Sequence, residues 1–315
     1  MTVLQAPLRA PFSHLAFDPL RLARARWRSG TTISVCLPAR NEAPTVGSIV
    51  RTLRHELVEA HGLVDEVVVL DDGSTDPTAE EAERAGARVE SVAAILPRLG
   101  PGAGKGNAMW RSLFVTDGDI VCWVDADIRT FSSHLVTGLL GPLLTDSGID
   151  LVKGYFRRPA DGLRHGGGRV TELVARPLIS KLFPELAGII QPLAGFTAGR
   201  RSVLEAVPFV EGWGVDFALL VDVADRVGLD RLAQVDLGSI EHDRGTLRKL
   251  APQAIAVLTT ALRRAGLESS EDPLCRLLGF DDEHHPGEEL VSVAERPPAN
   301  TVAAYRALFT EELPA

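Results

Sequence analysis

From Thr31 to Phe156, continuous apolar runs alternate with helical stripes. TTISVCLPA (Thr31–Ala39) is β-branched and apolar, as a strand buried on both faces should be. In Ala43–Leu57, Val46, Ile49, Val50, Leu53 and Leu57 recur at helical spacing. DEVVVLDDGSTD (Asp65–Asp76) is a second buried strand ending in turn residues, and Pro77–Ala85 reads as a helix with a proline near its first turn. ARVESV gives a short third strand, Gly106–Val115 a helix, Asp119–Asp127 a strand, Ser133–Leu144 a helix and Asp150–Phe156 another strand. Strands alternating with helices predict an α/β fold: a mostly parallel sheet covered on both faces, with ligands at the carboxyl ends of its strands.

Past Pro159 the pattern changes. A glycine-rich loop, HGGGRV (His165–Val170), leads into a helix, followed by the loop QPLAGFTAGR (Gln191–Arg200) and the segment EGWGVDFALLVDVADRVGL. A strand at Leu232–His242 and a helix at Leu247–Arg264 come next. From Glu268 the tail is acidic and proline-rich, which predicts irregular structure.

Charge and composition narrow the partners. A net charge of −9 argues against a broad surface for nucleic acid, so any bound anion must be held by a local cluster. No run approaches the roughly 20 apolar residues that cross a bilayer. Arg9, Arg21, Arg24, Arg26 and Arg28 surround no continuous apolar core, so no signal peptide is expected and the expectation is a cytoplasmic protein without a membrane partner. Cys36, Cys122 and Cys275 lie far apart with no CxxC pair, which reads as separate buried thiols.

The ends of successive strands carry the candidate chemistry. DIVCWVDAD (Asp119–Asp127) closes an apolar run with Asp125 and Asp127, which share a face if the strand stays extended. Two like charges so close suit a Mg²⁺ or Mn²⁺ ion shared with a substrate phosphate. The plain alternative is a helix cap beside a solvated carboxylate. The first strand ends in PARNEA, with Asn41 and Glu42, and the second in LDDGSTD, with Asp71 and Asp72 before the Gly73–Ser74 turn. Singly these read as a cap and a turn. In succession they point to one site.

This combination resembles the GT-A type nucleotide-sugar glycosyltransferases. GAGKGNAMWRSL (Gly102–Leu113), VDAD, LVKGYFRRP (Leu151–Pro159), GGGRVTELVARPL (Gly166–Leu178) and QPLAG narrow the resemblance to the glucosyl-3-phosphoglycerate synthases, close relatives of the mannosyl-3-phosphoglycerate synthases. It runs from about Thr32 to about Ala265. The resemblance implies a GT-A fold and retaining transfer of glucose from a nucleotide donor, UDP-glucose or GDP-glucose, to the 2-hydroxyl of 3-phosphoglycerate. Mannosyl transfer from GDP-mannose is the alternative. It further implies Mg²⁺ or Mn²⁺, a homodimer, and a Rossmann-like donor subdomain at 31–160 and an acceptor subdomain at 161–267, between an N-terminal extension (1–30) and a C-terminal tail (268–315).

Carried over residue by residue, the resemblance assigns Pro38, Ala39, Arg40 and Glu42 to the base and ribose and Ser74 to the uracil side. It gives Lys105 to the donor diphosphate, Asp125 to the donor, and Asp127 and His242 to the metal. Trp213 and Asp216 stand where the family pattern has tyrosine and glutamate, so this departure bears on glucose against mannose and UDP against GDP. Gly168, Arg169, Val170 and Thr171 fall to the acceptor, with Arg244 where the family motif has asparagine. HGGGRVT suits a phosphoglycerate: glycines admit close backbone approach, Arg169 offers a bidentate fork, and a helix start adds N–H donors. The bland reading of the glycines is a linker.

Asp127, Lys105 and Asp216 are the candidate catalytic residues. The metal and Lys105 would stabilise charge on the leaving diphosphate. Asp216 is the one alternative nucleophile, and front-face attack by the acceptor hydroxyl is expected. Two other classes stay open. A sugar-1-phosphate nucleotidyltransferase would place its glycine-rich loop directly after the first strand, whereas GAGKG follows the third. A non-catalytic nucleotide-sugar-binding protein could lose Asp125, Asp127 and His242, all present here.

Overall fold

A strand buried on both faces has to lie inside a sheet, and Ile33–Ala39 (β2), between two neighbours, does. The computed structural model describes residues 8–158, 168–240, 247–280 and 284–309. An eight-stranded sheet is built from β1 (Phe12–Ser13), β2, β3 (Glu66–Asp71), β4 (Arg88–Ser91), β5 (Ile120–Trp123), β6 (Leu151–Arg157), β7 (Thr197–Arg200) and β9 (Leu232–Ser239). β8 (Phe209–Val210) pairs outside it. The order is β1-β9-β6-β7-β5-β2-β3-β4, parallel except for β7, which runs against β5 and β6.

Alternating side chains divide the core in two. Val35, Leu37, Val67, Val69 and Cys122 join a cluster on one face, with Val46, Ile49, Val136 and Leu140 of the helices Val46–Thr52 and His134–Thr145. Cys36, Val68, Leu70, Val121 and Trp123 join the other, with Met109, Trp110 and Phe217 of the helices Gly104–Ser112 and Val215–Val227. Burial pushes the Cys36 thiol up to about 12, and Cys122 is likewise buried; Cys275 is only half-buried.

The chain leaves β2 towards β3 and β4, then returns to lay β5 on β2's other side. A switch of direction opens a crevice outside the carboxyl ends of the two central strands. Antiparallel β7 brings its leading loop to the same edge, where the Gly154 N–H donates to the Phe196 carbonyl (2.9 Å).

Three expectations need correcting. The described part of the tail after Glu268 carries regular structure: β10 (Leu274–Phe280) and β11 (Pro286–Ser292) pair antiparallel, β12 (Glu295–Arg296) pairs with β8, and a helix spans Ala303–Phe309. Some of its apolar side chains find ready-made partners: Cys275, Leu277, Val291 and Val293 pack with Ile255 and Ala256 of the helix Leu247–Arg264, while Leu274, Leu278, Phe280 and Leu290 stay exposed. Second, Asp119–Asp127 is not extended throughout. β5 stops at Trp123, and Ala126–Asp127 form a turn whose Ala126 carbonyl accepts from the Thr45 hydroxyl (2.6 Å). The sheet also crosses the expected boundaries, taking β1 from within 1–30 and β7 and β9 from within 161–267.

Candidate active site

Hydrogen bonds between loops stitch the strand ends together. After β2, Asn41 takes a left-handed φ of 60°, which Asn tolerates better than most residues. Its N–H donates to Ser74 Oγ (3.0 Å) and its Oδ1 accepts from the Thr75 N–H (2.8 Å), so Asn41 bridges two loops. The Glu42 N–H donates to Thr78 Oγ1 (2.8 Å), at the start of the helix Thr78–Arg84 that follows β3. After β3, Asp72 Oδ2 accepts from the Gly104 N–H (3.0 Å), placing a carboxylate at the amino end of the helix Gly104–Ser112. Partial burial raises the Asp72 pKa against that hydrogen bond.

Lys105, in the first turn of that helix, lies at the centre of the crevice. Its Nζ donates to Asp125 Oδ1 (2.8 Å) and to Asp216 Oδ2 (3.2 Å). Burial pulls the ammonium down, but the two carboxylates outweigh it and hold Lys105 above the ordinary lysine value. It is therefore cationic at any working pH. Gly195, in the loop before β7, lies directly against this pair: a methyl group there would overlap both Asp125 carboxylate oxygens and Lys105 Nζ. Gly106 is as tightly placed, its Cα facing the Val210 carbonyl with no room for a side chain.

Asp216 opens the helix Val215–Val227 and is 6% exposed, while Trp213, in the turn Gly212–Gly214 just before, is 50% exposed. Phe217 is core, packed on Phe183. The expected metal carboxylates part company: Asp125 is half-buried on Lys105, whereas Asp127 is exposed in the turn. Pro38, Ala39, Arg40 and Glu42 line the exit of β2, with Arg40 exposed. Gly168 and Arg169 follow the undescribed 159–167; Arg169 is exposed, Val170 and Thr171 are buried, and the Arg158 guanidinium lies against Gly168. His242 and Arg244 lie outside the described residues.

Among the described residues no three His, Cys, Asp or Glu side chains form a metal cluster. Asp127 fits a hard divalent cation all the same. Such ions are commonly held by one or two carboxylates and completed by substrate phosphate oxygens.

Three contributors escaped the sequence reading. Glu211 is buried before the Trp213 turn; its Oε1 pairs with Arg296 Nε (2.8 Å) and its Oε2 accepts from the Ala103 N–H and the Ser292 hydroxyl (3.3 Å each). Arg296 also donates to Asn107 Oδ1 (3.0 Å) and the Leu99 carbonyl (2.6 Å). The C-terminal tail thus holds the loop that presents Lys105. Lys153, on β6, bonds Asp216. A lone charge inside an apolar run was the available signal for Lys153 and Glu211; for Arg296 there was none.

Carboxylates and a lysine meet at the switch point of this sheet, and residues 34–207, more than half of the chain, match glycosyl transferase family 2, which gives the class as a glycosyltransferase. Within that class, the chain belongs to the glucosyl-3-phosphoglycerate synthase family. It is 48% identical over 279 residues to the glucosyl-3-phosphoglycerate synthase of Mycolicibacterium smegmatis, covering 87% of this chain and 91% of that protein. The crystal structure of glucosyl-3-phosphoglycerate synthase from Mycobacterium tuberculosis in complex with Mn²⁺ and UDP-glucose has a TM-score of 0.84 and 41% identity, covering 94% of this chain and 99% of that one. That of mannosyl-3-phosphoglycerate synthase from Rubrobacter xylanophilus has a TM-score of 0.86 and 38% identity, covering 93% and 97%.

Proposed function

We propose that this protein is a retaining, metal-dependent glucosyltransferase that moves glucose from UDP-glucose to the 2-hydroxyl of 3-phosphoglycerate. The observation that carries the reading is Lys105, held between Asp125 and Asp216 where the ends of β2, β3 and β5 meet. The similar M. tuberculosis protein, in complex with Mn²⁺ and UDP-glucose, supports the donor and the cation, and its complex with phosphoglyceric acid supports the acceptor. The fold supports neither other class: GAGKG opens the helix after β4, and the carboxylates and lysine are assembled.

In this reading Pro38, Ala39, Arg40, Glu42 and Ser74 hold the nucleoside. Asp127, with His242, would hold Mg²⁺ or Mn²⁺, which when bound lends Lewis-acid stabilisation to the diphosphate. Lys105 adds a preorganised positive charge where the leaving group gains negative charge. Asp216, gripped by two ammonium groups, suits holding a sugar hydroxyl better than attacking an anomeric carbon. The acceptor hydroxyl therefore attacks from the face the diphosphate leaves, and a departing phosphate oxygen takes its proton.

The test is a matrix of UDP- and GDP-glucose and -mannose against 3-phosphoglycerate, 2-phosphoglycerate and glycerate, reading free nucleoside diphosphate. UDP-glucose with 3-phosphoglycerate should dominate; pyrophosphate release or binding without turnover would overturn the reading.

At the acceptor, Gly168, Arg169, Val170 and Thr171, with Arg244, are proposed to hold the phosphate and carboxylate. Arg169→Lys keeps the charge and loses the fork, so KM for 3-phosphoglycerate should rise roughly tenfold or more with the donor KM unchanged, as expected for charge-assisted bonds of about 1.5–3 kcal/mol. Equal kinetics would leave 166–169 a linker.

GDP-mannose is a second reading, less supported than UDP-glucose: Trp213 and Asp216 depart from the glucosyl pattern, and the fold also matches the R. xylanophilus mannosyl-3-phosphoglycerate synthase. Asp216→Glu should shift the glucose-to-mannose ratio more than it shifts UDP affinity. An unchanged ratio would remove this segment from sugar selection.

A further inference from the structure

Lys153 is 4% exposed, and the transfer chemistry above gives it no contact with donor or acceptor, only with Asp216. An ammonium in such a place costs a great deal unless every N–H is bonded. An ammonium has three donors, and three acceptors surround this one: the Ala194 carbonyl (2.6 Å), Thr197 Oγ1 (3.1 Å) and Asp216 Oδ1 (3.1 Å). The first two belong to the loop before β7 and to β7 itself. Lys153 is therefore anchored to the sheet independently of Asp216.

Asp216 in turn has one carboxylate oxygen on Lys153 and the other on Lys105. With Asp125 on the far side of Lys105, the crevice floor reads Asp125, Lys105, Asp216, Lys153, carboxylate and ammonium alternating across the end of β5, the interior of β6 and the start of two helices. We propose that Lys153 is a positioning residue: its anchored ammonium fixes the plane of the Asp216 carboxylate, so that the free lone pairs of Asp216 face the donor's hexosyl group. This rests on the reading of Asp216 as a sugar contact. A carboxylate held at one oxygen can swing about its Cβ–Cγ bond; held at both oxygens, by Lys105 and Lys153, it cannot. Lys153 also shares the charge of Asp216, so that two carboxylates do not cancel the Lys105 ammonium outright.

A merely structural Lys153, filling the gap between β6, β7 and the Asp216 helix, would make the same bonds. The two roles differ in what they do to the sugar. In the full-length protein with Mn²⁺, Lys153→Met should lower kcat/KM for UDP-glucose at least tenfold while the Kd for UDP, measured by calorimetry, stays within twofold. In an Asp216→Asn background the same substitution should change kcat/KM less than twofold, because the group it positions is gone. Thr197→Val removes one anchor and keeps both charges, so it reads the same effect in miniature should Lys153→Met fail to fold: about threefold lower kcat/KM for UDP-glucose, with UDP binding unchanged. Equal losses for UDP and UDP-glucose, a full Lys153→Met effect in the Asp216→Asn background, or no effect of Thr197→Val on UDP-glucose kinetics would overturn the proposal. Wild-type protein that binds no UDP-glucose would instead overturn the proposed function itself.

Discussion

Replacing Lys105 with methionine should lower kcat by about 10²–10³, the usual loss when one preorganised donor aimed at developing charge is removed. Methionine keeps the length and apolar stem, so the first turn of the helix Gly104–Ser112 should survive and the circular dichroism should not change. What goes is the positive charge between Asp125 and Asp216, 2.8 and 3.2 Å away. Those carboxylates then face an incoming diphosphate with one cation fewer, so UDP-glucose should bind more weakly as well. A variant with wild-type kcat would show that Lys105 is a structural ion-pair partner.

Chelation and Asp127→Asn should be as severe. Asp127 is the exposed carboxylate of the turn after β5. Substitution there should disturb no packing, and thermal stability should hold within a degree or two. In its proposed role Asp127 holds the cation that orients the diphosphate and stabilises its charge, so transfer should nevertheless fall by roughly 10² or more. EDTA should abolish turnover, and excess Mn²⁺ should restore it. Full activity in EDTA would contradict the metal reading.

The parts of this site legible in the sequence are those written locally. An apolar run buried on both faces can only end at a sheet edge, so PARNE, DDGS and DAD announced the crevice by their positions alone. What was not legible depends on elements far apart in the chain. The turn that separates Asp125 from Asp127 is drawn by Thr45, which strand periodicity cannot register. Lys153 sits in a run otherwise fit for a buried strand, and only the packing of β7 and of the Asp216 helix against β6 gives its ammonium partners. The tail misled for a related reason. Its composition is that of an irregular segment, yet Arg296 is buried among Glu211, Asn107 and Trp110, and Tyr305 among Phe114 and Arg201. Those partners supply the core that the tail's own sequence lacks.

The most direct test of the central claim is a proton NMR time course of the full-length protein with UDP-glucose, 3-phosphoglycerate and Mn²⁺. The account predicts UDP and glucosyl-3-phosphoglycerate appearing in equal amounts, with the α configuration of the donor kept in the first-formed product. Free glucose, release of pyrophosphate, or a β-configured product would contradict it.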